Sequence, residues 1–184
     1  GLSGVTTHAA EPAPPDDIEY QIMVQRATQA AIWAMPAAGM IDFEKATKRD
    51  LSGDVNDVIY VSKPFVSRHG FLTANDVTPY AWGSLSTEKG PLVVEVPAAT
   101  DKVGYFGTIV NAWDVPLIDV GTTGTDKGKG GKYLILPPGS EGDLPDGYFT
   151  AKSTSWVNWI ALRGLLVYSK PDAAPKMLQA GLKN

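Results

Sequence analysis

The sequence predicts a mainly β protein, namely an antiparallel β-sandwich or jelly-roll-like domain with N-terminal helices and a short C-terminal helix. After residue 57, short segments rich in β-branched and aromatic residues recur at close spacing, and turn-forming residues separate them. Before that point the apolar residues follow helical spacing. Helices and strands do not alternate along the chain, which argues against a parallel nucleotide-binding sheet.

The N-terminal region predicts a lead-in followed by helix. Residues 1–15 are small, polar and proline-rich, so we expect a disordered lead-in there and a single domain over residues 16–184. Either a removed export signal or a truncation would explain such a beginning. Asp16 or Asp17 is placed to cap a helix that Pro36 should end or kink, and a second helical segment is predicted over 39–49.

The strand candidates follow, and the last of them is the most informative. Residues 156–169 are apolar on both faces, which is typical of a central, covered strand, although this segment alone is also compatible with a helix. Arg163 interrupts it and should need either a carboxylate, with Asp114 and Asp119 as candidates, or several carbonyl groups. A short helix is predicted over 171–183. The other strand candidates are 58–61, 90–97, 103–110, 132–137 and 147–150.

Composition excludes several classes of function. The net charge of −4 and the absence of a basic cluster argue against a nucleic-acid surface. The chain has no cysteine and only two histidines, which excludes thiolate chemistry and multi-histidine metal sites. No apolar run reaches the roughly 20 residues that span a bilayer.

The glycine-rich segment "GTTGTDKGKGGKYLILPPG" (121–139) invites a phosphate-binding interpretation. It lacks the P-loop spacing, because Thr123 and Asp126 stand where the first glycine is required for Lys129 and Lys132. A strand rather than a helix follows it. We therefore predict a surface turn that uses glycine for its backbone conformation.

Several blocks closely resemble the bacterial domain-of-unknown-function family 1254. One departure is Ala74, where the family often has a second asparagine. The blocks, in chain order, are "IWAMPAAGMIDF" (32–43), "TANDVTPYAWGSLSTEKGPLVVEVP" (73–97), "NAWDVPLIDVGTTGTDKGKGGKYLILPPG" (111–139), "PDGYF" (145–149) and "LRG" (162–164).

The resemblance implies a location and a partner but no activity. It implies an exported bacterial protein of the cell envelope, periplasmic or secreted, with its signal peptide removed. It also implies a partner domain of family 1214, in the same or a separate chain. A homo-oligomer is a further expectation.

The candidate site residues fall into a catalytic and a ligand-binding set. Asp76, Asp114 and His69 are the residue types that general acid–base chemistry needs. Oxygens of Asn75, Asp76, Asp114 and Asp119 could bind Ca²⁺ or Mg²⁺, but we predict no cofactor. The ligand-binding candidates are Asn75, Tyr80, Trp82, Trp113 and Arg163.

Three functions are compatible with these residues. The first is an envelope-associated domain that binds a carbohydrate or a small apolar ligand on its aromatic side chains. The alternatives are a hydrolase or lyase using Asp76, Asp114 and His69, and a structural subunit that packs on a family-1214 partner. Asn75 and Asp76 could also simply cap a turn.

Overall fold

The structure is mainly β, with one long N-terminal helix. The computed structural model describes residues 17–61, 65–66 and 75–166. The predicted lead-in and the predicted helix over 171–183 lie outside the described residues. In chain order the elements are α1 (Ile18–Leu51), β1 (Ile59–Tyr60), β2 (Tyr80–Ser86), β3 (Leu92–Val96), β4 (Val103–Asn111), β5 (Pro116–Gly121), β6 (Gly131–Leu136), β7 (Phe149–Lys152) and β8 (Val157–Leu166).

The strands form two sheets. The first has five strands in the order β1-β2-β8-β4-β5, and every neighbouring pair in it is antiparallel. The second has three strands in the order β3-β6-β7, in which β3 and β6 are antiparallel but β6 and β7 are parallel. The mainly β, largely antiparallel class predicted from the sequence is therefore confirmed.

Strand β8 is central, as its two apolar faces predict, since it pairs with β2 on one side and β4 on the other. Its alternate residues Ile160 and Leu162 are buried in the core, at 1% exposure each. The prediction that both faces are covered fails at Arg163, whose side chain is exposed. Because it keeps contact with solvent, its guanidinium does not need a buried carboxylate.

The two sheets contribute to one hydrophobic core. The five-stranded sheet supplies alternate side chains of β2, β4, β5 and β8, and the three-stranded sheet supplies side chains of β3, β6 and β7. Their association excludes water from both inner faces, which is the main stabilising term of such a domain. The core residues are Ala81, Leu85, Val94, Val96, Tyr105, Ile109, Val120, Tyr133, Ile135, Ala151, Ile160 and Leu162.

The predicted N-terminal helices are a single helix, which corrects the sequence interpretation. Helix α1 runs through Pro36 without ending there. A proline inside a helix removes one backbone hydrogen bond, but the segments before and after it here continue one helix rather than forming two. The predicted aspartate cap is confirmed and is Asp17, because the backbone N–H of Tyr20 donates to Asp17 Oδ1 at 3.0 Å.

The chain divides into two compact units at the bond between Met35 and Pro36. In the described part of the first unit, apolar helix side chains such as Ile18, Met23 and Ile32 are exposed. The second unit contains the rest of α1 and both sheets. The single domain predicted for residues 16–184 stays a prediction.

The glycine-rich segment forms turns between β5 and β6, as predicted. The buried carboxylate of Asp126 organises it, accepting hydrogen bonds from the backbone N–H of Gly121 (2.6 Å) and of Gly130 (2.8 Å). Both glycines have positive φ, at 95° and 71°. A side chain there would be strained and would also meet backbone of Tyr105 or Ala98.

Candidate functional site

The structure contains a cavity of about 670 Å³ in its second unit. Its wall includes residues from the C-terminal half of α1, from β2, β4 and β8, and from the segments around residues 65, 75 and 114. Six aromatic side chains lie in that wall: Phe43, Phe65, Tyr80, Trp82, Phe106 and Trp159.

Strand alternation explains why so many rings meet here. Successive side chains of a strand point to opposite faces of its sheet. In β2, Tyr80 and Trp82 flank the core residue Ala81, so both rings lie on the face opposite the core. In β8, Trp159, Ala161 and Arg163 alternate with core residues in the same way. The outer face of the five-stranded sheet is therefore the floor of the cavity.

Register places Arg163 between two aromatic residues. Its Cα partners are Tyr80 on β2 and Phe106 on β4. The guanidinium carbon lies 5.2 Å from the centroid of the Tyr80 ring, within the range of a cation–π contact. Among the described residues, no carboxylate lies within ion-pair distance of Arg163.

Helix α1 closes one side of the cavity through Phe43. The Phe43 ring packs edge-on against Trp82 and Trp159, with centroids 5.6 Å and 5.2 Å apart. Trp159 Nε1 also donates a hydrogen bond to Met40 Sδ at 2.7 Å, and Ser84 Oγ donates to the Glu44 carboxylate. These contacts fix the part of α1 around residues 40–44 to the sheet, so this side of the cavity is preformed.

Phe65 forms another part of the wall. Its ring centroid lies 5.6 Å from that of Tyr80 and 6.1 Å from that of Trp82. It therefore covers the two β2 rings from a position outside the strands.

Among the described residues of the cavity wall, Asp114 carries the carboxylate. It follows β4 in a tight turn, with a φ of 58°, and its backbone N–H donates to the carbonyl of Asn111 at 3.1 Å. Partial burial raises the pKa of its carboxyl group. A carboxyl with a raised pKa beside a cavity is a candidate functional group, although structural sites share this property.

Asn75 lines the cavity and also caps a turn. Its Oδ1 accepts hydrogen bonds from the backbone N–H groups of Val77 (2.9 Å) and Thr78 (3.1 Å). This is the Asx-type arrangement considered for this residue from the sequence.

The structure brings only part of the predicted site together. Five predicted residues lie in the cavity wall: Asn75, Tyr80, Trp82, Asp114 and Arg163. Asp76 is exposed, and neither it nor Trp113 is among the described residues of the wall. His69 lies outside the described residues. The functional roles of all these residues remain predictions.

The proposed pairing of Arg163 with Asp114 or Asp119 is not present in the described structure. The Asp119 carboxylate instead accepts a hydrogen bond from Thr108 Oγ1 at 2.8 Å. Thr108 on β4 and Asp119 on β5 are opposite each other in register, and this hydrogen bond satisfies both side chains.

Sequence reasoning did not select the other residues of the described wall, and four of them show why. Met40 and Phe65 carry no periodic signal that points to a cavity. Phe106 and Thr108 could have been found, because they alternate with the apolar residues of a predicted strand and so share one of its faces.

Two further properties concern metals and membranes. In the part of the chain that the structure describes, no three His, Cys, Asp or Glu side chains cluster as metal ligands would. No helix among the same residues combines the length and the apolar character that crossing a membrane requires.

The fold and the cavity define a β-rich domain with an aromatic-walled cavity on the outer face of its larger sheet. The sequence profile described as "Protein of unknown function (DUF1254)" matches residues 55–184, and the chain belongs to that family. The predicted family resemblance is thus confirmed.

The comparison with solved structures supports the fold alone. The chain is similar to the VPA0106 protein from Vibrio parahaemolyticus, with a TM-score of 0.63 at 15% sequence identity. The similarity covers 84% of this chain and 36% of the other, so this chain corresponds to about a third of that protein's length. No curated protein matches the sequence.

Proposed function

We propose that this domain binds a small apolar, flat molecule in the aromatic-walled cavity. The observation that carries the proposal is the cavity itself, about 670 Å³ in volume and lined by six aromatic rings. Sites for small ligands in proteins commonly measure about 300–1,000 Å³ and combine apolar walls with a few polar groups. The contacts of Phe43 with two tryptophans support a preformed site, which lowers the entropic cost of binding.

Between the two ligand classes considered from the sequence, the wall favours the apolar one. A carbohydrate presents many hydroxyl groups, and each needs a hydrogen-bond partner when it leaves water. The charged or amide side chains in the described wall are only Asn75, Asp114 and Arg163. Asn75 already uses its side-chain oxygen in a turn.

The proposal is tested with the neutral dye N-phenyl-1-naphthylamine, whose fluorescence rises in apolar surroundings. We expect saturable binding to the wild-type protein. The variant Ala161→Phe places a ring in the cavity while keeping all six aromatic side chains of the wall, and it should weaken dye binding by about tenfold or more.

The matched control is Ala98→Phe, which adds the same ring at an exposed position outside the described cavity wall. It should bind the dye as the wild type does. If Ala161→Phe also binds like the wild type, the dye is held elsewhere and the proposal fails.

A hydrolase or lyase is the second candidate, and the raised pKa of Asp114 beside the cavity favours it. In this proposal Asp114 acts with Asp76 and His69 as acid and base. It predicts turnover of chromogenic glycoside or ester substrates that Asp114→Asn abolishes. Turnover that persists in Asp114→Asn would contradict it.

The finer predictions about architecture and location also remain proposals. We propose that the two sheets form a jelly-roll-like β-sandwich, which their shared core supports. The family resemblance supports a periplasmic or secreted location and a family-1214 partner, and we propose self-association as a separate expectation. Cell fractionation and light scattering of the full-length protein test location and assembly. Recovery in the cytoplasmic fraction would contradict the proposed location. A monomer at all concentrations would contradict self-association.

A further inference from the structure

We propose that the ligand of this cavity is an organic anion, that is, a flat or aliphatic apolar body carrying one negatively charged group that Arg163 binds. The inference rests on the proposed function and names the chemistry of its ligand. It depends on the contrast between an apolar wall and a single guanidinium within it.

Arg163 is positioned for a ligand rather than for a neighbouring carboxylate. Among the described residues its contact is the Tyr80 ring, and no acid lies within ion-pair distance. Stacking on an aromatic ring holds the plane of a guanidinium while leaving its N–H donors available at the edge. A carboxylate or sulfonate accepts such donors in pairs.

The surroundings of Arg163 explain why the anion should carry an apolar body. Tyr80 and Phe106 flank it in register on the neighbouring strands, and Trp82 and Trp159 lie further along the same face. A small hydrated anion would gain nothing from these rings. A molecule that buries an apolar body against them gains roughly 25 cal/mol for each Å² removed from water.

Asp114 limits the charge of the ligand. It is the single acidic side chain in the described wall, so the charged groups of that wall sum to zero. A second negative charge on the ligand would meet this carboxylate without a second cation to offset it. The site therefore accommodates a ligand with one anionic group.

The test uses two dyes that share one aromatic body. N-phenyl-1-naphthylamine is neutral, and 8-anilinonaphthalene-1-sulfonate adds one sulfonate to the same rings. We expect Arg163→Gln to weaken binding of the sulfonate by about tenfold or more, the usual effect of losing a hydrogen bond to a charged group. Its affinity for the neutral dye should stay within about twofold of the wild type.

Two further variants complete the test. Asp114→Asn removes the opposing charge and should strengthen binding of the sulfonate but not of the neutral dye. Lys89→Gln removes one positive charge at an exposed turn outside the described wall and should change neither affinity. Arg163→Met, which keeps an apolar stem, gives a second variant if Arg163→Gln lowers the melting temperature.

The outcomes separate the two proposals. Suppose that the neutral dye binds and that Ala161→Phe blocks its binding. If Arg163→Gln and Arg163→Met then weaken binding of both dyes equally, or of neither dye, the anion inference is overturned and the cavity remains a binding site. If Ala161→Phe leaves binding of the neutral dye unchanged, the proposed function fails first.

Discussion

At the scale of single residues, the most informative side chain outside the cavity is Asp126. Its carboxylate is only 3% exposed and accepts hydrogen bonds from two backbone N–H groups and from the Tyr133 hydroxyl. A buried carboxylate is costly unless such donors surround it. Asp126 therefore accounts for the ordered turns of a segment whose glycines would otherwise favour many conformations.

We predict that Asp126→Asn lowers the free energy of unfolding by about 2–3 kcal/mol, because one amide oxygen replaces a charged acceptor of three donors. Urea denaturation measures this. The control is Asp119→Asn, where an exposed carboxylate accepts one side-chain hydrogen bond, and the expected loss there is below about 1 kcal/mol. Equal losses in the two variants would contradict the role given to Asp126.

Two buried tyrosines give opposite predictions for the same substitution. The Tyr133 hydroxyl donates to Asp126 at 2.8 Å, whereas among the described residues the buried Tyr105 hydroxyl has no hydrogen-bond partner. We expect Tyr133→Phe to cost about 1.5–2 kcal/mol, because its hydroxyl donates to a charged acceptor, and Tyr105→Phe to be neutral or to stabilise by up to about 1 kcal/mol.

Urea denaturation of both variants measures these differences, and circular dichroism checks that the sheets are intact. The prediction fails if Tyr105→Phe costs as much as Tyr133→Phe, since the two rings are equally buried and differ in this hydrogen bond.

The sequence could supply the residue types of the candidate site but not their convergence. The sequence indicates candidate ligand-binding side chains at Tyr80, Trp82 and Arg163 because they are aromatic or charged residues in a strand-rich region. The pairing of β2 with β8 then puts all three in one wall. Trp113 carries the same sequence signal, yet it lies outside the described wall. Sequence periodicity assigns a side chain to a face of its own strand, but it does not state which strand comes next to it.

At the scale of the elements, strands β4 and β8 are in close contact at Gly107. A Cβ added to Gly107 would clash with the carbonyl oxygen of Ala161 on the neighbouring strand. A side chain at this position therefore requires the backbones of two paired strands to separate.

We predict that Gly107→Ala destabilises the protein by about 2–4 kcal/mol, because strands must shift to relieve a contact with backbone. The control is Gly39→Ala in α1, where an added Cβ meets nothing within 4 Å and should stabilise the helix by about 0.5–1 kcal/mol. Thermal unfolding of both variants tests the pair. A mild effect of Gly107→Ala would show that β4 and β8 are not held in this register.

The elements could be predicted where their residues favour one conformation strongly. The β-branched runs of β3, β4 and β6 were identified close to their observed bounds. Strand β2, "YAWGSLS", was missed because its glycine and serines resemble a turn, and β5 because it begins with Pro116. Contacts with neighbouring strands decide these cases, since a weak strand former gains ladder hydrogen bonds only when a partner is present.

At the scale of the whole molecule, the contact between the sheets contains two phenol groups and one carboxylate. Tyr105 belongs to the five-stranded sheet and Tyr133 to the three-stranded sheet, and both are fully buried. Burial raises the pKa of each phenol above its ordinary value, and the charge of nearby Asp126 raises it further. Both rings therefore stay neutral in the folded protein at a pH where they ionise in the unfolded chain.

The consequence is a loss of stability at alkaline pH. Below about pH 10 both states hold the phenol protons, so the tyrosines leave stability independent of pH. Above it the unfolded chain releases protons that the folded protein keeps, so the free energy of unfolding falls as pH rises. Each tyrosine contributes up to about 1.4 kcal/mol per pH unit to this fall in the free energy of unfolding. Urea denaturation between pH 8 and pH 11.5 measures this slope.

Tyr105→Phe separates this effect from the titration of other groups. The variant should lose stability less steeply above pH 10, by up to about 1.4 kcal/mol per pH unit, while matching or exceeding the wild type at pH 8. Absorbance of phenolate near 295 nm should show that the folded wild type ionises fewer of its seven tyrosines at pH 11 than the urea-unfolded chain does. An unchanged slope in Tyr105→Phe would mean that this phenol is not kept neutral between the sheets. The shared core would then be open to water at the position where both sheets contribute a tyrosine.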